Sequence, residues 1–148
     1  MKDCVRVSQK VKVTLKSIQV EKAGGDPGND LELFGSVAAF GRAPGAADGG
    51  DRMLLARDAT HSMRVAEGET FPQQGTLGEV IVDVVPRGGS SVALRINLLD
   101  EDGGLTTDDS IGDELVEVRF ETGWRRDVQV YLTGSNARVA VTLHIDPI

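Results

Sequence analysis

Apolar and polar residues alternate with a period of two along most of the chain, the mark of strands that bury one face. Val11, Val13 and Leu15 interleave with Lys10, Lys12, Thr14 and Lys16, and the run continues into Ile18 and Val20. A second run, Leu31 to Val37, restarts after Gly24-Gly25-Asp26-Pro27-Gly28-Asn29-Asp30, a segment composed of turn-forming residues. Val80 to Val85 stops at Pro86-Arg87-Gly88-Gly89. Val92 to Leu98, Leu115 to Phe120, Val128 to Leu132 and Val139 to Ile145 follow, and a less regular strand is expected across Met53 to Val65. No segment carries a sustained 3.6-residue period, which leaves little room for helix.

About eight short strands separated by turn signals predict an all-β fold, an antiparallel β-sandwich with long loops at one end, because half-buried strands must stack face to face to close one core. A closed barrel is the alternative architecture. The alternation puts Val13, Leu15, Leu33, Val82, Leu94, Ile96, Val118, Val130 and Val141 inside. Residues 42–51 and 68–78 are polar or Gly-rich and read as long surface loops. No internal repeat or linker divides the chain, so residues 1–148 are read as one domain, long enough to bury a core without staples. Cys4 is the only cysteine, which excludes an intrachain disulfide.

Charge narrows the function classes. The net charge is −7, and the excess of acid lies in the second half of the chain. An acidic surface without a basic stripe or interleaved aromatics argues against nucleic-acid binding and predicts attraction to cations. No window reaches the roughly 18 apolar residues of a spanning helix, and Met1-Lys2-Asp3-Cys4-Val5-Arg6 lacks the apolar stretch of a signal peptide. The expected location is cytoplasmic, or outside the cell by a non-classical route.

The segment richest in chemistry runs from Leu98 to Glu114. Between Asp100 and Glu117 there are eight carboxylates and no basic side chain. Like charges crowded on one loop are relieved by a divalent cation, and calcium suits them best because it takes six to eight oxygen ligands in flexible geometry. Softer metals want His or Cys, and His61, His144 and Cys4 show no ligand spacing. An EF-hand reading fails: the twelfth position counted from Asp100 is Ile111 rather than Glu, and the flanks are strands.

Here the chain resembles the calcium- and phospholipid-binding C2 domain family. In that family a strand ends in an Asp-x-Asp pair, a short loop follows, and a third Asp precedes an apolar-Ile-Gly turn. Asp100 and Asp102 match the pair, and Asp109 in Asp109-Ser110-Ile111-Gly112 matches the third position, with Asp108 competing for that role. The family's other calcium loop follows the first strand; Asp26 and Asp30 lie there, and Asp30-Leu31-Glu32-Leu33 stands in for the usual Asp-Pro-Tyr-Val entry. The resemblance implies a non-enzymatic binding module. Its calcium would be held by Asp26, Asp30, Asp100, Asp102, Asp108 and Asp109, with positions left for an anionic membrane surface or a protein partner. Leu105 is the large apolar residue of loop 103–107 and the candidate ligand contact.

The alternative reading is a structural or protein-recognition sandwich, a tail or spike component or a toxin accessory domain, in which calcium only stabilises the loops or plays no part. A solvated acidic hairpin whose Gly and Asp residues serve turn geometry fits that view. Enzymatic readings rank below both. Ser62 and His61 are strand neighbours that face opposite ways, and Gly103-Gly104 and Gly88-Gly89 lack the helix that a phosphate cradle requires. Trp124 is expected to be partial core, and His144 to face outward between Leu143 and Ile145.

Overall fold

The computed structural model describes residues 8–24, 30–101 and 109–148, with only the backbone described at Asp109. Ten strands appear among them: β1 (Gln9–Ala23), β2 (Asp30–Arg42), β3 (Arg52–Arg57), β4 (Met63–Ala66), β5 (Thr70–Phe71), β6 (Gly78–Val84), β7 (Ser91–Asp100), β8 (Asp109–Arg119), β9 (Arg126–Gly134) and β10 (Ala137–Pro147). They form two antiparallel sheets, so the molecule is a sandwich rather than a closed barrel. In the first sheet β1 pairs with β10, β10 with β9, and the other edge of β1 is shared by β5 and β6. In the second β2 pairs with β7, β7 with β8, and the other edge of β2 is shared by β3 and β4.

Ten strands therefore occupy the eight lanes that the alternation predicts. The expected strand across 53–65 is broken into β3 and β4 by a single 3-10 turn at Ala59–His61. Asp58 caps that turn: its carboxylate accepts the Thr60 N–H at 3.0 Å and the Thr60 hydroxyl at 2.7 Å, and lies 2.8 Å from His61 Nδ1. Segment 68–78, read as loop, contributes the short β5, which pairs with Ile18 and Gln19.

Every residue assigned to the core by alternation is buried, and the core is a single cluster shared by the two sheets. β1 shows how closely sequence and register agree. Its buried apolar residues step by two from Val11 to Leu15, by three to Ile18, and by three again from Val20 to Ala23. Each skip coincides with a register shift against β10, between Leu15 and Ser17 and between Val20 and Lys22. The extra residue of a bulge is what returns the next apolar side chain to the inner face. At the opposite end from Asp100, Trp124 is buried rather than partly exposed; its Nε1 donates to the Val118 carbonyl at 2.9 Å and Phe120 meets its ring edge-on.

Segment 43–51 returns over the outer face of the second sheet. Asp48 pairs with Arg42 through two 3.0 Å hydrogen bonds, Asp51 pairs with Arg95 at 3.1 Å, and Gly49 N–H donates to the Gly41 carbonyl. Both guanidiniums sit over the Phe40 ring, at 5.3 and 5.1 Å from its centroid, which explains a fully buried aromatic on a nominally solvent-facing side. His144 is half-exposed as expected, with Nδ1 2.6 Å from Asp127 Oδ1; that contact, with help from Lys16, holds the Asp127 carboxyl below its ordinary range. No helix among the described residues is long and apolar enough to cross a membrane.

Candidate functional site at the acidic end of the sandwich

The strand register decides which loops are neighbours. Ala23 at the end of β1 faces Ala137 at the start of β10, and Ala137 faces Gly134 at the end of β9. In the other sheet Asp30 at the start of β2 faces Ala66 at the end of β4, while Asp100 at the end of β7 lies between Leu33 and Asp109. The two sheets meet at this end. A Cβ on Gly134 would lie 2.6 Å from the Ile111 carbonyl oxygen, so β8 and β9 approach backbone to backbone. Gly68 N–H donates to the Val20 carbonyl at 2.7 Å and Glu67 accepts the Ala23 N–H at 2.9 Å, tying the β4–β5 turn to β1. The strand ends that flank residues 25–29 and 102–108 thus lie at one end of the molecule.

Asp100 is 3% exposed, and its Oδ1 accepts the Glu32 N–H at 2.8 Å. The neighbouring Glu101 N–H donates to the Glu32 carbonyl at 2.8 Å, so the chain at the end of β7 is fastened to β2 through both main-chain polar groups of Glu32. Asp109 is the cross-strand partner of Asp100. Asp30 behaves differently: its Oδ2 accepts from Nε of Arg64, an ion pair in which the Asp30 side chain is 16% exposed. Hydrogen bonding and charge from Asp30, joined by Glu32, raise the Arg64 pKa.

The register separates these carboxylates. Asp100 stands opposite Leu33, whose side chain is in the core, so Asp100 belongs to the inner face. Asp30 and Glu32 alternate with the buried Leu31 and Leu33 and share the outer face with Arg64. Asp100 and Asp109 are brought together, whereas Asp30 is held on the other side of the same sheet. Asp26, Asp102, Asp108 and Leu105 lie outside the described residues, as does the side chain of Asp109. Among the described residues no group of three or more His, Cys, Asp or Glu side chains converges on a point that would hold a metal.

Among the charged residues at this end that went unread in the sequence are Arg64, Glu67 and Glu69. Glu67 and Glu69 cap amides, Glu69 accepting the Ala66 N–H at 3.1 Å. The signals were present. Met63-Arg64-Val65 alternates like a strand with its middle residue outward, and Glu67-Gly68-Glu69 is a glycine turn flanked by acids.

No family model matches the chain, and no curated protein matches it. Among solved structures it is similar to human GIVD cytosolic phospholipase A2 in complex with methyl gamma-linolenyl fluorophosphonate, at 12% identity and a TM-score of 0.47, over 95% of this chain and 18% of that one. A second structure of that enzyme, with the inhibitor and terbium chloride, gives 11% identity and a TM-score of 0.42 over 96% of this chain and 18% of that one. The chain therefore spans less than a fifth of the length of the solved protein that it resembles.

Proposed function

We propose that this chain is a C2-like calcium-binding module, and not an enzyme, in which the acidic end of the sandwich takes up a divalent cation. The observation that supports the reading is topological. The end of β7 and the starts of β2 and β8, which bear Asp100, Asp30 and Asp109, sit at the same end as the flanks of the two Asp-bearing loops. Asp26, Asp102 and Asp108 in those loops supply further oxygen ligands in sequence. Calcium held mainly by carboxylates from separate loops keeps coordination positions for an anionic ligand, such as an acidic membrane surface or a carboxylate of a protein partner.

The experiment is calcium titration by isothermal calorimetry, with thermal melts in calcium, magnesium and chelator. Calcium that binds only the native chain raises its stability by about 2.7 kcal/mol at a hundredfold excess over Kd. Magnesium controls for general screening of the net charge. Asp102→Asn keeps the side-chain size while removing one charge; it should abolish most of the calcium shift and leave the metal-free melt unchanged or higher. Sedimentation with anionic vesicles then separates membrane docking from metal binding alone. No saturable calcium heat at millimolar concentration, from folded protein, ends the calcium reading.

A second reading is supported by the bonding of the described carboxylates. Asp100, Glu67 and Glu69 accept main-chain amides and Asp30 accepts an arginine, as loops braced without metal would require. A structural or protein-recognition sandwich follows if calcium produces no shift.

A further inference from the structure

The middle of β8 is open along its outer edge. At one end β8 is closed against β9: a Cβ on Gly112 would lie 3.0 Å from Leu132 Cδ2. At the other end Trp124 Nε1 donates to the Val118 carbonyl at 2.9 Å. Between these points Glu114 and Val116 stand opposite Ile96 and Leu94, which are fully buried, so both side chains belong to the inner face. Glu114 is nonetheless exposed, and Val116 is only half-buried. On the outer face Asp113 is exposed and Leu115 is 46% exposed. The Val118 carbonyl points away from β7, toward Trp124. Main-chain groups two residues apart on a strand point to the same side, so the N–H and C=O groups of Glu114 and Val116 also face away from β7. No described strand pairs with them.

We propose that the edge of β8 from Asp113 to Val116 docks an extended basic segment of a partner protein, which adds to the second sheet as a further strand. The main-chain groups of Glu114 and Val116 supply the ladder bonds, and Leu115 offers an apolar contact on the outer face. Charge chooses the occupant. β8 has no basic residue before Arg119. Asp113 and Glu114 make no hydrogen bond or ion pair among the described residues. The nearest arginines on the outer face are engaged, Arg42 with Asp48 and Glu117, and Arg95 with Asp51. Lys or Arg at alternate positions of the incoming strand answers these carboxylates, whereas an inward-pointing charge keeps out a purely apolar strand. A second copy of β8 is disfavoured, because like charges opposite one another on paired strands repel. Neither a metal nor the loops at the acidic end take part.

The probes are two short labelled peptides, one alternating lysine with valine or threonine and the other carrying glutamate in place of lysine. Fluorescence anisotropy is read in chelator at near-physiological salt, so the outcome is independent of the calcium reading. The lysine peptide should bind saturably and the glutamate peptide should not. Hydrogen exchange followed by NMR should slow at the Glu114 and Val116 amides in the complex. The double variant Asp113→Asn, Glu114→Gln should bind the lysine peptide about tenfold more weakly, two exposed ion pairs being lost. Glu79→Gln, which removes a carboxylate paired with Lys12 on the other sheet, should bind as wild type and controls for general attraction to the net charge. Val116→Pro removes a free-edge N–H without taking a bond from β7 and should abolish binding. Should that variant fold poorly by circular dichroism, the exchange measurement decides. No saturable binding by folded wild type, equal binding of the glutamate peptide, equal weakening in Glu79→Gln, or a complex that leaves both amides unprotected overturns the proposal. Self-association that protects the same amides without peptide also overturns it, and assigns the edge to a second copy.

Discussion

The Asp100 carboxylate accepts the backbone N–H of Glu32 at 2.8 Å from a position that is 3% exposed, so a residue that the sequence offers as a metal ligand also joins β7 to β2. A buried amide stripped of its acceptor retains its desolvation penalty. Asp100→Ala should therefore destabilise the metal-free protein by about 1–3 kcal/mol, measured by urea unfolding in chelator. This separates Asp100 from Asp102, whose replacement by Asn is expected to leave the metal-free protein as stable as before.

Leu94 and Ile96 sit in the middle of β7, fully buried between the sheets. Truncation of either to Ala removes buried methylenes and leaves a cavity that the surrounding sheets close only in part, at a cost of about 2–5 kcal/mol. Equilibrium unfolding should show the loss with an unchanged denaturant slope.

Gly35 has φ of +123°, and a Cβ there would lie 2.1 Å from the Asn97 carbonyl oxygen. Neither the conformation nor the backbone of β7 accommodates a side chain. Gly35→Ala should cost on the order of 3 kcal/mol, strain and overpacking acting together. A thermal melt within a degree or two of wild type would show that β2 and β7 can separate freely at this point.

Asp58 has its carboxyl lowered to about 2, first by the Thr60 hydroxyl and then by His61. A carboxyl depressed in the folded state contributes its stabilisation fully above its unfolded pKa of about 3.9 and loses it as pH falls toward the folded value. Carbon-detected NMR titration should place the Asp58 midpoint well below those of ordinary surface aspartates. The Thr60→Ala variant should bring the midpoint back up.

The architecture and most of the core are dictated locally. Alternation in β1, β2, β7, β9 and β10 marks the buried face residue by residue, and even the two bulges of β1 are visible as skips in the apolar step. Pairing along a strand has a period of two, so one misplaced residue would turn every apolar side chain toward water; the pattern itself therefore specifies the register. The division of 53–65 into β3 and β4 was less legible, because it depends on a single capped turn at Asp58. The burial of Phe40 depended on segment 43–51 folding back with two aspartates for two arginines.

The carboxylates of 100–117 were legible as a class, since eight of them without a basic side chain stand out in the sequence, but β8 carries Glu117 to the other end of the sandwich, beside Ser91 and Arg42. The partners of the acidic side chains were not legible. That Arg64 reaches Asp30 across 34 positions, and that Asp100 serves the amide of Glu32 across 68, follows from which strands lie side by side. Residue type and spacing determine the face a side chain takes on its own strand. Only the tertiary pairing of β2 with β4 and β7 decides which distant charge or amide it meets there, because hydrogen bonds and ion pairs act over a few ångströms of space and are blind to separation along the chain.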